Sequence, residues 1–258
     1  GDPPDLHSFP TRRSSDLGLQ YEFRNGGFSI GLVAGTRPDY RDYSFNAALP
    51  QIGAYLSHEL AGNKGRMQNT LAVMDQQNRG NTDRRFVYLQ HVNTLVRNLW
   101  LFGSAEVELY HKKYNPEDST LKVQNNPVLS NLYLSVRYRP GRLLTISATY
   151  SERENPIYYE TYKDIVQTLL EQVTVRGLTV KTDVTVSRNL RTGIQGSYRN
   201  SQRDEKPARS IYGYLTFAKI PGINAMATAS ATFLETSWLQ GTILSVALNR
   251  DLVPARLS

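Results

Sequence analysis

The sequence has no cysteine. A disulfide framework, a thiolate zinc site and a cysteine nucleophile are therefore excluded. It has no run of about 18 apolar residues, the length a helix needs to cross a bilayer, so it encodes no transmembrane helix. Histidine is scarce: beyond His7 only His58, His91 and His111 occur, on three separate predicted strands. No His–carboxylate metal spacing and no phosphate-cradling glycine loop accompanies them. Ser57 and His58 are neighbours on a strand and face opposite sides, the wrong geometry for a nucleophile and its base. The reading is therefore of a non-enzyme with no cofactor and no metal. The net charge of +7 comes from Lys and Arg dispersed along the chain, without a helix-turn-helix or RNP-like string, so nucleic acid is not the expected partner. A basic balance suits a pore wall or anionic lipid headgroups.

What the sequence does have is alternation. In Arg176–Arg188, RGLTVKTDVTVSR, one set is Leu178, Val180, Thr182, Val184 and Val186; the other is Thr179, Lys181, Asp183, Thr185 and Ser187. Strand side chains alternate faces, so this segment has one oily face and one charged face. About ten such residues, tilted, cross a bilayer within a barrel. A hydrophobic content of only 40% is no objection, because barrel strands hide their apolar residues in the alternation.

Ser8–Leu17, SFPTRRSSDL, matches the translation of a widely used short-read sequencing adapter. Gly1–Leu17 is set aside as an adapter-derived, disordered artefact. Without its Arg12, Arg13, Asp2, Asp5 and Asp16 the formal charge rises from +7 to about +8. The chain is accordingly expected to be a fragment: barrel from Gly18 to Arg250, then a truncated tail over Asp251–Ser258.

The same pattern continues along the chain, giving about 12–14 antiparallel strands in an up-and-down order. Phe28, Ile30, Leu32 and Ala34 share a face, as do Ile52, Ala54, Leu56 and Leu60. Leu99, Leu101, Ala105, Val107 and Leu109 oppose Ser104, Glu106 and Glu108. Leu132, Leu134 and Val136 oppose Asn131, Ser135, Arg137 and Arg139. Arg84–Leu95 carries apolar residues on both faces, and its phase stays open. Pro50 implies a bulge or a strand starting after it. Short turns are expected at Asn25–Gly27, Ala61–Gly65, Val96–Asn98, Pro140–Gly141, Asn189–Thr192 and Pro221–Gly222, with Gly141 at a position of positive φ. Mostly longer connections lie between them, including a polar loop over Gln77–Asp83, a loop over Tyr114–Pro127 with room for a short extra strand at Leu121–Val123, and an insertion over Glu152–Thr174. Outer-membrane barrels segregate short and long connections in this way.

The hairpin series with Tyr- and Arg-rich strand ends, and the segment Asn155–Lys163, NPIYYETYK, after a strand ending SATYSE, resemble uncharacterised outer-membrane β-barrels of the Bacteroidota type. The resemblance implies a transmembrane β-barrel in the cell outer membrane and carries no assigned activity.

The polar positions Glu59, Glu106, Glu108, Arg137, Arg139, Lys181, Asp183 and Arg199 are the candidate lumen-lining residues. They read either as a mixed-charge wall that selects solutes or as polar filling, since a charge on the lipid face costs a few kcal/mol. In the insertion, Ile165, Val166, Leu169 and Leu170 fall at helical spacing, and Tyr158, Tyr159 and Tyr162 could form a loop constriction or contact a partner. Tyr21, Tyr110, Tyr138, Tyr150 and Tyr198 are expected in an aromatic girdle at the headgroups. Two functions follow: a porin-like channel for small polar solutes, or a structural barrel whose outer loops bind a partner envelope protein or surface glycan.

Overall fold

Period-two alternation, broken by turn residues, becomes fourteen β-strands among the described residues of the computed structural model of the chain. The structure describes residues 17–39, 44–63, 65–115, 120–154, 174–202, 204–220, 222 and 225–250, and no helix occurs among them. The first seven strands are β1 (Leu17–Asn25), β2 (Phe28–Pro38), β3 (Phe45–Gly62), β4 (Gly65–Asn78), β5 (Asn81–Asn93), β6 (Leu99–Asn115) and β7 (Thr120–Gln124). The others are β8 (Val128–Tyr138), β9 (Leu144–Arg153), β10 (Val175–Thr185), β11 (Leu190–Ser201), β12 (Ala208–Ile220), β13 (Ala225–Glu235) and β14 (Gln240–Arg250). Apart from β7, which pairs with β6 off this path, the strands follow one another in sequence order. The fold is all-β, antiparallel and up-and-down. β1 and β14 each have one paired neighbour among the described residues.

The chain divides into two compact units. Unit 1 comprises Gly1–His91, Ser104–Leu132 and Glu154–Val173; unit 2 comprises Val92–Gly103, Tyr133–Arg153 and Thr174–Ser258.

Turn chemistry sets the registers. Gly26, at φ 59°, closes β1 onto β2 with Asn25 opposite Phe28. The expected loop Gln77–Asp83 is instead a two-residue turn: Arg79 (φ 51°) and Gly80 (φ 80°) are both left-handed, the backbone of a tight hairpin whose twist matches the strands. The polar residues around it therefore extend β4 and β5. Asn98 (φ 63°) and Gly222 (φ 91°) take left-handed conformations in two other short turns. Gly141 does not have a positive φ, so that turn is not of the expected kind. The bulge expected at Pro50 is present. Thr36 pairs with Pro50 but Pro38 with Phe45, so the residues before Pro50 stand outside the regular ladder. The short extra strand allowed at Leu121–Val123 is present as β7, one residue longer at each end, and it pairs back on β6, His111 with Gln124 and Asn115 with Thr120.

The two faces of the strands have inverted burial. On β3, Gln51, Tyr55 and Ser57 are buried while Ile52 and Leu56 are 57% and 46% exposed. On the neighbouring β4, Thr70 and Gln76 are buried while Leu71 and Val73 are exposed. In unit 2, Leu178 and Val180 of β10 are exposed, and their parity is opposite to that of Lys181 and Asp183. The phase of β5 is now settled. Arg84, Phe86, Tyr88 and Val92 are buried, and Leu89 is exposed. Phe86 and Tyr88 join Tyr55, Ala72 and Met74 in a small cluster against Val33. Those apolar residues fill the polar face, which is why both faces of this strand look apolar in sequence.

Candidate functional site

The polar face of each unit is the candidate site. In unit 1 its charges neutralise one another. Arg84 on β5 donates from Nε to Glu108 Oε1 at 2.7 Å and from Nη2 to Glu106 Oε2 at 2.6 Å, both on β6. All three side chains are largely buried, and Arg84 also lies 4.0 Å from the centre of the Phe86 ring. The paired carboxylates Glu106 and Glu108 are thus clamped by one guanidinium. Nearby, Asp83 is fully buried and accepts from Arg37 Nη2 at 3.1 Å and from Lys112 Nζ. Arg37 also donates to the Gln77 carbonyl. Gln76 donates to Gln51 at 3.2 Å. A buried ion pair without such partners would be costly, so the interlocking is what makes this face tolerable.

A second device recurs in both units. Tyr55 of β3 pairs with Gly31 of β2, and Gly31 with Glu22 of β1. The Tyr55 ring lies across the glycine, and its hydroxyl donates to Glu22 and accepts from Gln20 Nε2. In unit 2, Tyr214 of β12 pairs with Gly193 of β11, and Gly193 with Asp183 of β10. The Tyr214 hydroxyl donates to Asp183 Oδ1 at 2.6 Å, and Lys181 Nζ lies 3.1 Å from Asp183 Oδ2. A Cβ on Gly193 would sit 2.5 Å from Tyr214 Cε1 and 2.8 Å from Asp183 Oδ1. Each tyrosine thus locks three strands by filling the space a glycine leaves. Replacing Gly193 by alanine is expected to destabilise the fold by about 1–3 kcal/mol, the usual cost of overpacking. Urea unfolding of the refolded chain checks it, with Gly196→Ala, which meets nothing within 4 Å, as the comparison.

Hydroxyls fill much of the rest. Ser57 and Thr70, Ser135 and Thr149, Ser197 and Ser210, and Thr216 and Thr228 form cross-strand pairs at 2.6–3.3 Å.

The sequence-predicted site residues are distributed as follows. Glu106 and Glu108 are joined through Arg84, and Lys181 and Asp183 are joined directly. Glu59 is exposed at the end of β3 and its amide donates to the Gly27 carbonyl. Arg139 Nε reaches Thr145 Oγ1 at 3.4 Å. Arg199 is exposed opposite Ala208. The Arg137 guanidinium stands 6.0 Å from the centre of the Trp100 ring. Tyr158, Tyr159 and Tyr162, and the helical spacing of the insertion, lie outside the described residues. Ser57 and His58 do face apart: Ser57 bonds Thr70, and His58 stacks on Phe28 at 4.5 Å. Tyr110 has the parity of Glu106 and Glu108, so it sits on the polar face rather than in the expected girdle. Tyr21, Tyr138 and Tyr198 are exposed on the apolar face.

Arg84, Tyr55, Tyr214, Trp100 and Phe102 were not singled out by sequence. Counting back from Glu106 in steps of two reaches Phe102 and Trp100, a signal that was present. The Tyr–Gly–carboxylate triples depend on three-strand register and leave no local signal.

No family model and no curated protein matches the chain. Among solved structures the chain is similar to the NanC porin, at 8% identity and a TM-score of 0.37, covering 78% of this chain and 94% of that one.

Proposed function

We propose that the strands of both units line the wall of an outer-membrane β-barrel whose apolar faces meet lipid and whose polar faces meet water, and that the protein is a porin-like, non-enzymatic conduit for small polar solutes. The inverted burial carries this reading. Ile30, Leu32, Ile52, Leu56, Leu71 and Val73 form one exposed apolar surface across β2, β3 and β4. A water-soluble monomer rarely leaves so broad an apolar surface uncovered. Lipid removes that cost, and it demands that charges take the other face. Glu59, Glu106, Glu108, Arg137, Arg139, Lys181, Asp183 and Arg199 are lumen-lining in this reading.

One observation favours a second reading. The interlocked charges of Arg37, Asp83, Lys112, Arg84, Glu106 and Glu108 pack unit 1's polar face tightly. A barrel filled in that manner acts as a scaffold whose outer loops engage a partner envelope protein or surface glycan.

Planar-bilayer recordings of the refolded chain separate the two. A steady open conductance is expected for the conduit; a silent bilayer into which the protein has demonstrably inserted overturns it in favour of the scaffold.

A further inference from the structure

We propose that the polar face of unit 2 carries a binding site for a small ring-shaped organic anion, built from Trp100, Phe102, Tyr133 and Arg137. Trp100 and Phe102 of β6 lie on the polar parity, with ring planes 10° apart and centres 6.1 Å apart. Tyr133 of β8 meets Phe102 edge-on, with centres 5.7 Å apart. Three aromatic rings thus gather on one patch of the polar face, separate from the Tyr212–Tyr214 pair on β12. Their flat surfaces suit a ring with an apolar side, and the Arg137 guanidinium over Trp100 supplies the charge.

Charge distinguishes this patch from unit 1. There, Arg37, Arg84 and Lys112 are held by Asp83, Glu106 and Glu108. In unit 2, Ser135 and Arg139 contact Thr149 and Thr145, which pair with Thr179 and Asp183, so these strands share one polar face. Its cations include Arg137, Arg139, Arg153, Lys181, Arg191 and Arg199, and Asp183 is the only strand carboxylate on it among the described residues. Asp183 is already engaged by Tyr214 and Lys181. Arg137 has no carboxylate partner among the described residues, is exposed, and presents a planar fork of donors suited to bidentate capture of a carboxylate. The ligand class is therefore an apolar-faced ring joined to a carboxylate. Aromatic acids and acidic sugars both have this chemistry.

The inference rests on the conduit reading only for access from water; binding is read without conductance. The chain has 2 tryptophans, and Trp238 is 89% exposed in the connection between β13 and β14, so Trp238→Phe leaves Trp100 as the single reporter. In the refolded full chain carrying that substitution, benzoate and glucuronate are titrated while Trp100 emission is followed. A saturable change is expected with at least one of them, and the one that saturates identifies the source. Acetate, a charge without a ring, and glucose, a ring without a charge, are expected to give none. Arg137→Gln is expected to weaken binding about 10-fold or more, and Arg137→Lys to weaken it less, because lysine keeps the charge and loses the fork. Unchanged strand content by circular dichroism shows that each variant has folded. No saturable change with either acid, an equal response to glucose, or binding that survives Arg137→Gln would overturn the proposal. Saturation in a protein that conducts nothing leaves the site standing and removes the conduit; conductance without saturation does the reverse.

Discussion

Replacing Arg84 by methionine should cost the fold about 3–5 kcal/mol, the penalty for removing one partner of a buried ion pair. The reason is that Glu106 and Glu108 would remain on the polar face without their clamp. Glu108 Oε2 is already buried with no hydrogen-bond partner, so this carboxylate has no reserve contact among the described residues. The measurement is urea unfolding of the refolded protein in lipid vesicles. A companion variant joins Arg84→Met to Glu106→Gln and Glu108→Gln. It should recover most of the loss, because a neutral amide in the same space costs far less than an unpaired charge. If Arg84→Met alone is as stable as the parent, the clamp is ornamental and the face is wetter than its burial indicates.

The second large effect comes from placing a charge on the other face. Val180 lies in the middle of the apolar row of β10, between Leu178 and Thr182. Val180→Arg is expected to destabilise the inserted protein by about 2–4 kcal/mol, the cost of a cationic side chain near the bilayer midplane. Thr179→Arg, one residue away, points to the polar face and should cost less than about 1 kcal/mol, as surface substitutions usually do. The contrast between neighbours matters more than either value, since β-propensity and local sequence are nearly the same. Equal losses at the two positions would remove the argument from alternation.

Much of the fold was legible because the alternation is strict where one face is oily. Leu178 to Val184, Phe28 to Ala34 and Ile52 to Leu56 each fixed a face without further information, and the register pairs like with like. Where the polar face needs bulk, the signal fails. Phe86 and Tyr88 are apolar side chains filling a polar interior surface, so β5 reads as oily on both sides. The Arg79–Gly80 turn was hidden because its flanks are polar strand residues, and polar runs read as loops. The glycine in its second position was the available clue. The partners of the charged residues were not legible. Arg84 meets Glu106 and Glu108 across more than twenty residues of sequence, and nothing local encodes that choice. The same holds for Tyr55 over Gly31 and Tyr214 over Gly193, where a ring and a gap match only once the register is known.

The central claim is that the two faces of every strand meet different solvents. The absence of cysteine makes a direct measurement simple, because any introduced cysteine is unique. Single cysteines at 178 to 185 along β10, spin-labelled in the vesicle-inserted protein, report contact with lipid-soluble oxygen and with a water-soluble nickel complex. Positions 178, 180, 182 and 184 should favour oxygen, and 179, 181, 183 and 185 the nickel complex, in strict alternation. A flat profile, with both faces equally open to the water-soluble reagent, would contradict it.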